Sequence, residues 1–122
     1  MWIFSKYGFY SVSCANKVIG GKVTDGLDLE SAMVRSRWKA HLVRLRDRFP
    51  ELPEIISTKG TDYKHRIICS KELWSKCLYE ISMEQDYLNF KHICTTVFGE
   101  ANSYSKCLLD IWITVRKAVI NN

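Results

Sequence analysis

The residues of this chain best suited to chemistry are its early arginines. Counted on a helix that starts near Arg37, Arg37, Arg44 and Arg48 recur at i, i+7 and i+11, with His41 beside them, while Lys39 and Arg46 fall on the opposite flank. One helix flank then carries a guanidinium stripe, and guanidinium forks match phosphate and carboxylate geometry. Alternation extends the stripe onto a sheet, because Phe9, Ser11, Ser13, Met33, Arg35, Lys64 and Arg66 fall on one strand face, an aromatic among three cations. Single-stranded nucleic acid binds sheets of this kind through stacking and a charged backbone track. The bland alternative is a solvated helix flank and an ordinary polar sheet face.

A second constellation is Gly60-Thr61-Asp62-Tyr63 with Arg66, and Asp86-Tyr87-Leu88-Asn89. Asp62 pairing with Arg66, or Asp86 with Arg35, would tie loops to the sheet; Asp and Asn are also ordinary turn and cap residues. Used functionally, Tyr63, Asp62, Asp86 and Asn89 would orient a ribose or a base.

Other chemistries find no support. His92-Ile93-Cys94 and the scattered cysteines lack the spacing that brings metal ligands together, so no metal is expected. Gly20-Gly21-Lys22 lacks the spacing and the hydroxyl of a phosphate loop. No nucleophile elbow is present, and only His41, His65 and His92 offer imidazole bases. His65 shares the inward strand face with Tyr63 and Ile67 and reads as an interior histidine. No catalytic residue and no cofactor is assigned.

The elements that must position these residues follow from pattern. The 122 residues, 47% hydrophobic and 25% charged, fit one domain, residues 1–122. Strand alternation is clearest over residues 9–14 (FYSVSC) and 32–37 (AMVRSR). Between them, residues 15–30 with Gly20-Gly21 and Asp25-Gly26 read as a mobile surface loop. Trp38, Leu42, Leu45 and Phe49 mark a helix ended by Pro50 and Pro53; residues 54–58 and 63–69 are two further strands. Ser70 then caps a helix running to Glu84 whose buried stripe includes Trp74, Cys77, Leu78 and Ile81. Asp86 and Gly99 bracket the next helix, and Asn102 caps a last one with Tyr104, Leu108, Ile111, Trp112, Val115 and Val119 on its stripe. The expected fold is α+β: a four-stranded antiparallel sheet in ββαββα order, ferredoxin-like or related, with helices on one face and extra C-terminal helices. The segments AMVRSRWKAHLVRL and HRIICSKELWSKCL both pass from strand into a helix with an early Trp, which admits either an internal duplication or chance similarity.

Charge and cysteine usage bound the partners. Residues 1–50 hold nine Lys or Arg against four acids, and residues 51–122 nine against nine, so the whole excess of +5 lies in the first half. That asymmetry favours nucleic acid, a nucleotide or an acidic protein; a homodimer is a further candidate assembly. Five cysteines, an odd count in helix or strand contexts, suit buried thiols in a reducing, cytoplasmic setting. No apolar run is long enough to cross a bilayer, so no membrane partner is expected, and the first residues do not read as a signal peptide.

The combination Met1-Trp2-Ile3, Gly8-Phe9 with Ser11, Val34-Arg35-Ser36-Arg37, Gly60-Thr61-Asp62-Tyr63 with Arg66, and Asp86-Tyr87 with Asn89-Phe90-Lys91 resembles a family of short uncharacterised bacterial and actinobacterial-phage proteins. The resemblance covers most of the chain up to the final helix. It implies a bacterial or phage origin and supplies no catalytic residues. Three functions stand side by side: a non-enzymatic module contacting nucleic acid or a nucleotide through Arg35, Arg37, His41, Arg44, Arg48, Lys64 and Arg66; an inhibitor or accessory factor binding an acidic protein; and a small enzyme on a nucleotide or phosphorylated substrate, with Asp62, His41 or Asp86 as acid or base.

Overall fold

The computed structural model describes residues 1–121. The chain divides into two compact units, Met1–Gln85 and Asp86–Asn122.

The first unit is an antiparallel sheet with two helices. Its elements are β1 (Trp2–Ser5), β2 (Gly8–Ile19), β3 (Lys22–Ser36), α1 (Lys39–Arg48), β4 (Ile56–Ser57), β5 (His65–Ser70) and α2 (Lys71–Met83). The strands lie in the order β1-β2-β3-β5-β4. The α+β class and the antiparallel sheet are as expected, but the sheet has five strands rather than four. Three strands precede the first helix, which departs from both the ββαββα order and a ferredoxin-like interleaving.

One face of the sheet is the core face. Tyr10 and Val12 of β2, Ala32 and Val34 of β3, and Ile67 and Cys69 of β5 pack with Leu42, Leu45 and Phe49 from α1 and its end, and with Trp74 and Cys77 from α2. Both helices therefore cover the same side, as the apolar spacing of each required. Ser70 caps α2 by accepting from the Leu73 amide at 3.1 Å, and the helix ends at Glu84, as the sequence indicates. Cys69 and Cys77 are buried thiols, and burial pushes Cys77 up to about 11.

Residues 15–30 are not a loop. They form the distal half of the β2–β3 hairpin, closed by Gly20 and Gly21 at φ 59° and 78°, the left-handed pair that a two-residue hairpin turn requires. Register shifts at Cys14/Ala15 and Asn16/Val18 break the alternation that would have marked the strand. Since β1 pairs only with Gly8 to Ser11 and β5 only with Ser31 to Ser36, this distal ribbon has no neighbouring strand among the described residues. Val18, Ile19, Val23, Leu27 and Leu29 on it are 60–72% exposed.

The second unit is a helical hairpin, α3 (Phe90–Phe98) and α4 (Ser103–Ile120). Asn102 caps α4 through a 2.9 Å bond from the Tyr104 amide, as expected. Gly99 ends α3 as expected, but its N-terminal cap is Asn89, which accepts from the His92 amide at 3.0 Å, rather than Asp86. Phe98 and Tyr104 pack edge to face at 5.0 Å, and Lys91 lies over the Trp112 ring at 4.5 Å. Cys94 is buried, whereas Cys107 is exposed, against the expectation that all five cysteines are interior. Among the described residues no helix is long and apolar enough to cross a membrane.

Candidate anion-binding face

The sheet face opposite the core carries a continuous row. Trp2 pairs with Ser11, Ser11 with Arg35, Arg35 with Arg66, and Arg66 with Ile56, one residue from each of the five strands in turn. Directly opposed residues point to the same side of a sheet, so the row Trp2-Ser11-Arg35-Arg66-Ile56 lies on one face. The next rows hold Phe4 with Phe9 on one side and Ser13, Met33 and Ile68 on the other. The expected common face of Phe9, Ser11, Ser13, Met33, Arg35 and Arg66 is thus assembled, and Trp2 and Phe4, which sequence reasoning missed, join it. Lys64 lies exposed one residue before β5, and its carbonyl accepts from the Thr58 amide at 2.8 Å.

Aromatic rings form the floor beside this row. Phe4 stacks on Phe9 at 4.5 Å, Trp2 meets Phe9 edge-on at 5.9 Å, and Tyr63 lies 6.4 Å from Phe9. Phe9 and Tyr63 are buried, whereas Trp2 is 69% exposed. Tyr63 is fixed by its turn: the Thr61 hydroxyl and Nη2 of Arg66 both donate to its carbonyl, at 3.1 and 3.3 Å. The guanidiniums of Arg35 and Arg37 stand 5.0 and 4.4 Å from the Tyr63 ring, close enough for cation–π attraction.

The arginines differ in how they are satisfied. Arg37 donates from Nη2 to both oxygens of Asp62, at 2.8 and 3.0 Å, so Asp62 pairs with Arg37 and not with Arg66. Arg35 donates from Nε to the Ser11 carbonyl at 3.3 Å and from Nη2 to the Ser11 hydroxyl at 3.1 Å. Arg66 donates from Nη2 to the Thr61 hydroxyl at 3.2 Å and leans Nη1 on the Met33 sulfur at 3.5 Å, while its buried Nε has no hydrogen-bond partner. Among the described residues neither Arg35 nor Arg66 forms an ion pair. Two guanidiniums directly across from each other repel, and with no carboxylate on either they leave a local positive potential that an anion relieves.

The expected helical stripe does not form. Helix α1 begins at Lys39, with Trp38 as its cap, so Arg37 lies ahead of it and turns instead to Asp62 and Tyr63. Arg48 is held by Glu84 at 2.5 Å and Glu80 at 3.5 Å, on α2 and its end. Glu84 also accepts from the Tyr7 hydroxyl and sits 3.8 Å from Lys6. Burial works against the Glu84 carboxylate, but the bonds from Tyr7 and Arg48 outweigh it and hold it below the usual range, while burial and Glu84 push Tyr7 up to about 12. Arg44 is a half-buried residue of α1, the helix that packs on the core face.

His41 is not an anion ligand. It is 4% exposed, its Nδ1 accepts from the Phe9 amide at 3.1 Å, and its carbonyl accepts from the Tyr10 hydroxyl at 2.6 Å. Burial, reinforced by the charge of Arg44, lowers its pKa to about 4, so the ring is neutral and anchors α1 to β2. His65 is half-buried rather than interior, sharing a 2.7 Å hydrogen bond with Ser57, and Tyr63, expected beside it on the inward face, packs instead against Phe9 and Arg35. Asp86 and Asn89 belong to the second unit, where Asn89 caps α3 and lines a cavity of about 310 Å³ with Lys91, His92, Glu100 and Lys106. The structure therefore brings together Arg35, Arg37, Arg66, Asp62 and Tyr63, and sets His41 and Arg48 apart from them.

Among the described residues no group of three or more His, Cys, Asp or Glu is placed to hold a metal ion. No family model, no curated protein and no solved structure matches this chain.

Proposed function

We propose that the Met1–Gln85 unit is a non-enzymatic binding module that takes a phosphate-bearing ligand, a nucleic acid or nucleotide, on the sheet face around Arg35 and Arg66. The observation that carries this reading is the direct cross-strand pairing of two guanidiniums without a carboxylate on either. Arginine forks bind phosphate bidentately, and Ser11, Thr61 and the Tyr63 ring hold both forks in place before any ligand arrives. The buried thiols Cys69 and Cys77 support a reducing, cytoplasmic setting, and the sequence resemblance supports a bacterial or phage origin.

Fluorescence anisotropy with a labelled oligonucleotide tests the reading. Wild-type protein binds at low salt and loses affinity steeply toward physiological salt, because phosphate contacts release counterions. The Arg35→Ala/Arg66→Ala double variant loses at least about tenfold in affinity, in keeping with two charge-assisted contacts. Binding that ignores salt, or that survives the double substitution, rejects the site.

A further inference from the structure

Resting on that anion-binding reading, we propose that the ligand is single-stranded nucleic acid lying across the strands, its unpaired bases on Trp2 and Ile56 and its phosphates on Arg35 and Arg66. The row that holds the two arginines ends in an exposed apolar side chain on each side, Trp2 at 69% and Ile56 at 49%. Four strand spacings separate these ends, roughly 19 Å. A ligand that satisfies the whole row must offer flat apolar faces on both flanks of an anionic middle, which is the pattern base, phosphate, base.

A duplex does not meet this description. Its base faces are stacked on one another, so only phosphates and groove edges remain, and Trp2 and Ile56 would stay wet. A lone nucleotide has one base and cannot occupy both ends of the row. Trp2 is built for stacking: the edge-on contact with Phe9 fixes the indole, and the stacked pair Phe4 and Phe9 supports it from the adjoining row. The distal hairpin is no part of the track, because residues 16–30 hold Lys17 and Lys22 against Asp25, Asp28 and Glu30.

Three probes in one anisotropy assay at low salt decide the matter: a labelled oligothymidylate, a labelled duplex of equal length, and unlabelled thymidine monophosphate as competitor. The expected result is binding of the single strand, duplex binding at least about tenfold weaker, and no displacement by the monophosphate at equal phosphate concentration. Trp2→Ala weakens the single strand about tenfold, as loss of one stacked base does, and Trp2→Phe restores most of it, which separates stacking from misfolding. Duplex binding as tight as single-strand binding, displacement by the monophosphate, or an unchanged Trp2→Ala variant overturns the single-strand proposal and leaves the anion site standing. Absence of binding by all three probes overturns the anion site itself.

Discussion

The imidazole of His41 lies against the α-carbon of Gly8, so close that a β-carbon there would stand 2.3 Å from Cγ of the ring. Gly8 also holds φ at +146°, where a side chain is strained whatever the space. The glycine lets α1 sit directly on the start of β2, and the Phe9 amide closes the contact on Nδ1. This joint is on the core face, so it sets the helix against the strand whose next residues begin the candidate site.

Gly8→Ala therefore destabilises the fold strongly. The ring cannot retreat without breaking its bond from Phe9 and shifting α1, and the backbone cannot relax without disturbing the pairing of Ser5 with Gly8. A loss above about 2 kcal/mol is expected, typical of strain combined with overpacking. Urea unfolding measures it; a variant as stable as wild type would show that the contact is loose.

Acid should weaken the same joint. The His41 pKa falls from 6.5 to about 4 on folding, so between those values the unfolded chain takes up a proton that the folded chain refuses. Stability from this group is complete above the unfolded value and is lost as pH falls toward the folded one. The total is roughly 3 kcal/mol. Protonation would also remove the lone pair that the Phe9 amide uses. Glu84 acts lower on the scale: its pKa is depressed, so its contribution is present above its unfolded value of 4.5 and lost as pH falls through the folded one. Urea midpoints should decline across this range in wild type and decline less steeply between 6.5 and 4 in His41→Asn, whose amide oxygen can still accept from Phe9 and which leaves the lowered His65 to titrate there.

Shortening the distal hairpin should be nearly silent for stability. Replacing residues 17–26 by an Asn-Gly turn removes exposed Val18, Ile19 and Val23 but no member of the core cluster. The new turn suits the hairpin twist, and closing a shorter loop costs little. Thermal unfolding should move by only a few degrees, about what 1 kcal/mol gives in a chain of this size. A collapse of the melting transition would mean that the ribbon supports the sheet.

Much of the fold is legible in the sequence because the core of the first unit obeys simple periods and the helices of both units carry capping residues. The stripe Leu42, Leu45, Phe49 and the alternation Tyr10, Val12 and Ala32, Val34 each name the face that meets the other, and Ser70 and Asn102 announce their helices by capping chemistry. The distal hairpin was hidden because it is exposed on both faces and bulged, so neither burial nor period marks it. Strand β1 was missed because it is four residues long and opens with an exposed Trp2. At the site, alternation alone assembled Arg35 with Arg66, but the fate of Arg48 depends on Glu80 and Glu84, more than thirty residues away and on another helix. Spacing along one helix carries no information about such partners.

That distinction between arginines predicts different responses to two substitutions. Arg48 belongs to the cluster with Tyr7, Glu80 and Glu84 and has no place in the ligand row, so Arg48→Ala should leave oligonucleotide affinity unchanged. Asp62 is different, because its carboxylate neutralises Arg37, whose guanidinium lies over the same Tyr63 ring as that of Arg35. Both members of that pair are substantially exposed, so the bond adds little to folding and its loss should not unfold the unit. Asp62→Asn removes a negative charge beside the row and frees a third guanidinium to face phosphate. Affinity at low salt should rise about threefold, and the salt dependence should steepen by roughly one released counterion. Affinity that falls instead would mean that Asp62 holds Arg37 and Tyr63 in the geometry the ligand needs, making the carboxylate a positioning group rather than a competitor.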